Sequence, residues 1–138
     1  MPIKYNIIEE QKLILATGSA IVTANDVISH LDSLATENKY IAPMKKLVDY
    51  RTIESIIISP DEAEAIAQRK KELSKKFSNE KCAFISPGDL TFGTARVHQA
   101  LVENTDINTA VFRNIEEALE WLDVTLDVNH ENDYEEFI

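Results

Sequence analysis

The chain is poor in the residues that build covalent staples, phosphate-binding loops and membrane spans. Its 138 residues contain one cysteine, Cys82, so an internal disulfide is excluded and a reducing, cytoplasmic setting is expected. The three glycines form neither a GxGxxG nor a P-loop pattern, which argues against the common nucleotide sites. No apolar run approaches the roughly 20 residues that a membrane helix needs. Residues 1–4 show no apolar stretch of the kind that marks a signal peptide.

The histidines and the cysteine form no catalytic or metal-binding pattern. His30, His98 and His130 are widely spaced, and one cysteine cannot complete a structural zinc site, so no metal and no cofactor are expected. Cys82 and His98 are the residues available for a nucleophile and its base. A cysteine that opens an apolar strand is, however, typically a small core residue, and His98 is expected to be a structural, exposed or half-buried histidine. A non-enzymatic protein is therefore expected.

Negative charge is concentrated at the end of the sequence. The net charge is −10, and residues 123–138 contain no lysine or arginine. Their acidic residues are Asp123, Asp127, Glu131, Asp133, Glu135 and Glu136. The rest of the chain is only mildly acidic and lacks the basic face that attracts nucleic acid. The one basic cluster falls on a predicted helix, where it is interpreted as a solvated outer face: Arg69, Lys70, Lys71, Lys75 and Lys76.

Apolar periodicity predicts a hairpin, a helix, and then three units of strand followed by helix. The strands are predicted at 3–8, 13–17, 46–50, 82–86 and 109–112, and residues 56–58 suggest a further short extended segment. Helices are predicted to begin after Thr23 or Asn25, at Pro60, near Asp89 and after Asn114. After residue 122 the periodicity fails, which predicts a single domain over 1–122 and a mobile acidic tail over 123–138.

Several segments carry a resemblance to a known family. They are the opening hairpin, KKLVDYR, SPDEAEAIAQR and CAFISPGDLTFGTARVHQAL, with VFRNIEEALEWL after them. Over roughly residues 3–122 the chain resembles STAS-fold proteins, and more closely their SpoIIAA-like branch of small, mostly uncharacterised bacterial proteins. The resemblance implies an α/β fold, with a mixed β-sheet of four to five strands, helices mainly on one face and the order ββαβαβαβα. It also implies action by binding rather than by catalysis.

Ser59 has two interpretations. It stands before Pro60 and three residues before Glu62, which is the pattern of a helix cap with a capping box. In the anti-sigma-factor antagonists that the chain resembles, a serine near this position is phosphorylated within an Asp-Ser-Ser-Gly type motif. Ser59 is the nearest counterpart of that serine, but the Asp, the second Ser and the Gly are missing. The cap is the favoured interpretation, and phosphorylation is the alternative.

Polar residues follow the predicted strands at the edge where α/β sheets bind ligands. Asp49, Arg51 and Asp89 come at or just after strand ends, and Arg96 is placed to reach the same region from the helix. Free backbone N–H groups at nearby helix starts favour an anion. These four residues form the predicted ligand or partner site. The alternative is an Asp–Arg pair that ties loops together.

Three functions remain open on this basis. The favoured one is a non-enzymatic binding or regulatory module that acts through a protein partner or a small anionic ligand. The alternative is a lipid or small apolar carrier, related to CRAL-TRIO-like domains, which predicts a pocket of several hundred Å³. Its motivation is the apolar face of one helix, around Leu90, Phe92, Val97 and Leu101. The least favoured is an enzyme that uses Asp49, Asp89 and Arg96.

A homodimer is a further expectation. An exposed apolar face or a sheet edge would form its interface, with Trp121 or Tyr40 as the anchor. In the acidic tail, Tyr134, Phe137 and Ile138 are candidates for docking on a partner.

Overall fold

The computed structural model describes residues 2–126, which form seven strands, four α-helices and a short 3-10 helix at Glu9–Gln11. The strands are β1 (Ile3–Ile8), β2 (Leu13–Gly18), β3 (Ala20–Thr23), β4 (Lys45–Asp49), β5 (Ile53–Ile57), β6 (Lys81–Ile85) and β7 (Asn108–Phe112). The helices are α1 (Ala24–Ala35), α2 (Pro60–Glu72), α3 (Asp89–Leu101) and α4 (Ile115–Leu122). None of these helices is long and apolar enough to cross a membrane.

The main sheet is mixed and has five strands in the order β1-β2-β4-β6-β7. β1 and β2 form the predicted antiparallel hairpin, which turns through Lys12 in a left-handed conformation. β2, β4, β6 and β7 run parallel, because a helix crosses between successive strands. The predicted mixed sheet and fold class are confirmed, and β4 lies at the centre of the sheet.

A second, two-stranded sheet was only half predicted. β5 contains most of the extended segment expected at 56–58, and it pairs in parallel with β3, a strand that the apolar pattern does not predict. β3 is four residues long and leads directly into α1, where Thr23 accepts a hydrogen bond from the Asp26 backbone as the helix cap. The formation of so short a strand depends on pairing with its neighbour, so its residue pattern alone does not predict it.

Helices cover both faces of the main sheet, three on one face and one on the other. Successive strand residues face opposite sides, so Leu47 packs beneath α4 while Val48 faces the other layer. α4 covers Leu13, Leu15, Leu47 and Ile85. α1, α2 and α3 lie on the opposite face, as the expectation of helices mainly on one side requires.

Packing continues past the predicted end of the domain. Val124 and Leu126 pack against the core under α4, and the Gln11 side-chain amide donates to the Thr125 carbonyl at 2.8 Å. The packed chain therefore extends at least to residue 126. Residues 127–138, which include most of the acidic tail and its aromatic docking candidates, lie outside the described part.

Candidate functional site

A cavity lies between the main sheet and the three helices that cover one of its faces. Its walls are mostly apolar, and five of its side chains carry ionisable groups. The lining residues are Ile3, Val27, His30, Leu31, Lys46, Val48, Tyr50, Ile56, Ile58, Ala63, Ile66, Lys70, Phe84, Thr94, Ala95 and His98. The empty volume is about 660 Å³ when open solvent at the mouth is included, but the cavity volume available to water-sized groups is about 60 Å³. That volume falls short of the several hundred Å³ that a lipid carrier needs.

Lys46 is placed in the cavity by the central strand. It pairs in register with Ile14 on one side and Cys82 on the other, so its side chain enters the layer between sheet and helices. The residue is 3% exposed. Burial is the main cause that lowers the pKa of its ammonium to about 8, and repulsion from Lys70 adds to it, against a smaller attraction from Glu80.

Lys70 is the second cation of the cavity, and it has a partner. Its ammonium lies 2.6 Å from a Glu80 carboxylate oxygen, and both side chains are buried. The Tyr40 hydroxyl donates to the other Glu80 oxygen at 2.5 Å. Burial by itself raises the pKa of Glu80, but the charges of Lys70 and Lys46 outweigh it and keep that pKa below its usual value. Within residues 2–126, the Lys46 ammonium has no such hydrogen bond or ion pair.

The three charged groups therefore do not balance. Lys46 and Lys70 supply two positive charges, and Glu80 supplies one negative charge. An unpaired buried charge is costly, and an anion bound beside Lys46 would offset part of that cost. The arrangement is suited to holding one negative charge in an otherwise apolar space.

Two neutral histidines complete the polar part of the cavity. His30 is 6% exposed, and neither ring nitrogen has a hydrogen-bond partner in the described chain. Burial, followed by the charges of Lys46 and Lys70, lowers its pKa well below the ordinary value. The same causes lower the pKa of His98 to about 3, and its half-buried ring packs edge-on against Phe84. Each imidazole is uncharged at pH 7 and offers one N–H donor.

The predicted site at the strand ends is built differently from the expectation. Arg51 pairs with buried Asp49, with Nη2 at 2.9 Å from Oδ2 and Nε at 3.0 Å from both oxygens. Side chains alternate between the two faces of the sheet along β4, so Lys46 and Val48 face the cavity. The Asp49 side chain lies on the opposite face, together with Leu47. This pair has the geometry of the loop tie that was the alternative interpretation.

Asp89 and Arg96 do not join that pair. The Asp89 carboxylate is exposed and lies 2.7 Å from Arg113, which also donates to the Pro87 carbonyl at 2.8 Å. Arg96 is exposed and lines a separate polar groove, together with Gln99 and with Thr109 from the start of β7. The structure thus brings together Asp49 and Arg51 but leaves the other two elsewhere on the surface.

Ser59 and Cys82 have the structural environments that the sequence favoured. Ser59 caps α2: its hydroxyl accepts from the Glu62 backbone at 3.1 Å, and the Glu62 carboxylate accepts from the Ser59 backbone at 2.9 Å. Its phosphorylation stays a prediction. Cys82 is fully buried, and burial raises the pKa of its thiol, which is unlike a reactive nucleophile. Residues 2–126 contain no group of three His, Cys, Asp or Glu side chains arranged to hold a metal ion.

Three sequence interpretations need correction. Lys70 is not part of a solvated face but is buried, because it continues the inward stripe of Ala63, Ile66 and Ala67 at helical spacing. Tyr40 is 2% exposed and bound to Glu80, so it is not available as a dimer anchor.

The α3 side chains behind the carrier hypothesis also lie elsewhere. Leu90 and Val97 are exposed, and Phe92 lies under the Arg113 guanidinium at 4.0 Å. None of them lines the cavity.

Sequence reasoning missed the cavity residues themselves. Lys46 was included in a strand but not singled out, although a lysine in the middle of a sheet covered on both faces has to be buried. Lys70 carried a readable signal, its position on the apolar stripe of α2. Glu80 stands directly before β6 and has no local pattern that indicates its role.

A comparison with solved structures found a similar fold. The similar structure is that of an uncharacterised protein from Shewanella loihica PV-4, described as a member of the DUF3478 family with a SpoIIAA-like fold. The likeness covers 87% of this chain and 91% of that chain, with a TM-score of 0.55 and 18% sequence identity. At that identity it shows the fold alone. No family model and no curated protein matches the sequence. The chain therefore has the SpoIIAA-like, STAS-type α/β fold that its sequence pattern predicted.

Proposed function

We propose that this protein is a non-enzymatic binding module whose ligand is a small organic monoanion held in the cavity beside Lys46. The observation that carries the proposal is the buried Lys46 ammonium, which has no ion-pair partner within residues 2–126 while its neighbour Lys70 is paired with Glu80. A ligand carboxylate supplies the missing charge, and charge-assisted hydrogen bonds of this kind are among the strong ones.

The walls and the size of the cavity restrict the rest of the ligand. Ile56, Ile66 and Phe84 present apolar surface, so a short hydrocarbon body is favoured over a sugar or a nucleotide. One water, which is a single heavy atom, needs about 10–15 Å³. At that volume per atom, the 60 Å³ available here hold roughly four to six heavy atoms, which corresponds to a carboxylic acid of about two to four carbons. A whole lipid is too large, so the carrier alternative is not favoured.

The histidines support binding rather than catalysis. His30 and His98 have lowered pKa values and are poor proton acceptors at pH 7, but each has an N–H that can donate to a ligand oxygen. His30 in particular has two buried, unpartnered ring nitrogens that a ligand or a water would satisfy.

Ligand-detected and backbone-amide NMR titrations test the proposal. Acetate, propionate and butyrate are compared with butyramide, which has the shape of butyrate without its charge. The expected result is saturable binding of at least one acid, with shifts at residues around the cavity, and binding at least tenfold weaker for the amide. Lys46→Met is expected to lose acid binding, and Lys4→Met, an exposed strand lysine, is the matched control. Equal binding of butyramide and butyrate, or unchanged acid binding in Lys46→Met, contradicts the proposal.

A further inference from the structure

We propose that Lys46 is also a covalent capture residue, whose amine condenses with the carbonyl group of a short aldehyde or 2-oxo acid to form an imine. This inference rests on the proposed function, because the same cavity holds the ligand, and it extends that function from ion pairing to bond formation. Lys46 lies in the cavity wall between sheet and helices, where a ligand carbonyl can reach its amine.

The partners of the two buried lysines separate their roles. Glu80 holds the Lys70 ammonium at 2.6 Å, which keeps that lysine charged and occupied. Lys46 is 3% exposed and, in the described chain, has no acceptor that holds its proton. A lysine desolvated in an apolar pocket beside another cation is a recognised way to activate an amine nucleophile. By this geometry Lys46 is the reactive amine, and Lys70 is the neighbouring cation.

Protonation favours the same assignment. With a pKa of about 8, about a tenth of the Lys46 side chains are free amines at pH 7. A lysine at the ordinary value of 10.5 is a free amine in roughly three of ten thousand molecules at that pH. Before a ligand carboxylate pairs with Lys46, the nucleophilic form is thus about 300 times more abundant at Lys46 than at an exposed lysine.

The capture step balances without a further reagent. The Lys46 nitrogen lone pair attacks the carbonyl carbon, a C–N bond forms, and the carbonyl oxygen takes a proton to give a carbinolamine. Loss of that hydroxyl as water, with the second proton of the amine, leaves the C=N bond. The products are one imine and one water, and no oxidant or reductant takes part. The apolar walls limit access of bulk water, which slows the reverse hydrolysis.

Reductive trapping tests the inference. The folded protein is incubated at pH 7 with glyoxylate and cyanoborohydride, which converts any imine into a stable carboxymethyl-lysine. Peptide mapping then compares modification at Lys46 with that at exposed Lys4 and Lys71 of the same molecule. The expected result is modification of Lys46 at least tenfold faster than of either surface lysine. Lys46→Arg, which keeps the positive charge but lacks an amine that forms an imine in this way, is expected to lose the fast adduct.

The outcomes distinguish this inference from the proposed function. Modification of Lys46 no faster than of Lys4 overturns covalent capture, as does a fast adduct that persists in Lys46→Arg. If acetate or butyrate still binds reversibly in that case, the proposed function stands and only the capture step falls. If neither acid binding nor a Lys46 adduct is found, both are overturned.

Discussion

Replacement of Lys46 by Met is expected to stabilise the protein while it removes ligand binding. The two side chains have similar length, so the apolar stem is replaced and the buried ammonium is removed. Burial and the repulsion from Lys70 lower the Lys46 pKa from 10.5 to about 8, with the attraction of Glu80 already included. At about 1.4 kcal/mol per pKa unit, this corresponds to roughly 3 kcal/mol of unfavourable free energy for the charged form in the folded state.

The sign of the pH dependence follows from the same shift. Below pH 8 the ammonium is charged in both the folded and the unfolded states, so the full penalty is present. Between pH 8 and 10.5 the folded protein releases this proton before the unfolded chain does, so stability rises with pH. The rise amounts to about 1 kcal/mol between pH 8 and pH 9. Lys46→Met lacks the ammonium, so the difference in the free energy of unfolding between the variant and the natural protein decreases by the same amount from pH 8 to pH 9.

Urea denaturation followed by Trp121 fluorescence at pH 7, 8 and 9 measures both effects. The comparison stops at pH 9 because the raised pKa values of Cys82 and Tyr50 begin to lower stability above their ordinary values of 9.0 and 10.0. The difference between variant and natural protein cancels these contributions. Lys46→Met should be more stable by about 2–3 kcal/mol at pH 7. A variant that is less stable at pH 7, with an unchanged difference from pH 8 to 9, refutes the reasoning.

Substitutions at three further positions test the surroundings of the site, and the free energy of unfolding is measured for each. Glu80→Gln leaves the buried Lys70 ammonium without its counter-charge and is expected to cost about 3–5 kcal/mol. Gly18→Ala places a Cβ 2.7 Å from the Tyr50 ring, which lines the cavity, and is expected to cost about 1–3 kcal/mol. Ser59→Ala removes the α2 cap and is expected to cost about 1 kcal/mol, whereas Ser59→Asp keeps an acceptor and stays within about 0.5 kcal/mol.

Matched controls separate these causes from general sensitivity. Glu64→Gln changes an exposed carboxylate of α2 and is expected to be within about 0.5 kcal/mol of the natural protein. Gly93→Ala adds a Cβ in open space inside α3, so it should stabilise by about 0.5–1 kcal/mol. Equal effects of Glu80→Gln and Glu64→Gln would argue against the buried pair, and a neutral Gly18→Ala would argue against the close packing on Tyr50.

Local chemistry made most of the fold predictable. The polar turn between two apolar strands predicts a hairpin, and the Ser59-Pro60 start predicts α2 at the right residue. Strand β3 was missed because four residues carry too little periodicity, and its parallel pairing with β5 depends on a segment about 30 residues away. The packing of Val124 and Leu126 was not predicted either, because two apolar residues after the end of a helix are too few to show a hydrophobic period.

The candidate site was much less predictable. The sequence directed attention to Asp49 and Arg51, whose charges satisfy each other two residues apart. Lys46 looks like an ordinary strand residue until the strand order places β4 at the centre of the sheet, with helices on both faces. Glu80 and Tyr40 are 40 residues apart and meet only through tertiary packing. The burial of these charged groups therefore depends on how the sheet and helices pack together. Only for Lys70 does the sequence itself indicate burial, through its helical spacing from the apolar residues of α2.

The side-chain pKa of Lys46, measured with and without a bound acid, tests the central claim most directly. The ¹³Cε resonance of Lys46 is followed by NMR as a function of pH in the intact protein, alone and with saturating propionate. The account predicts a pKa near 8 for the free protein and a rise of that pKa toward the ordinary lysine value of 10.5 when a carboxylate lies beside the ammonium. A Lys46 pKa near 10.5 in the free protein, or one that propionate does not change, would contradict it.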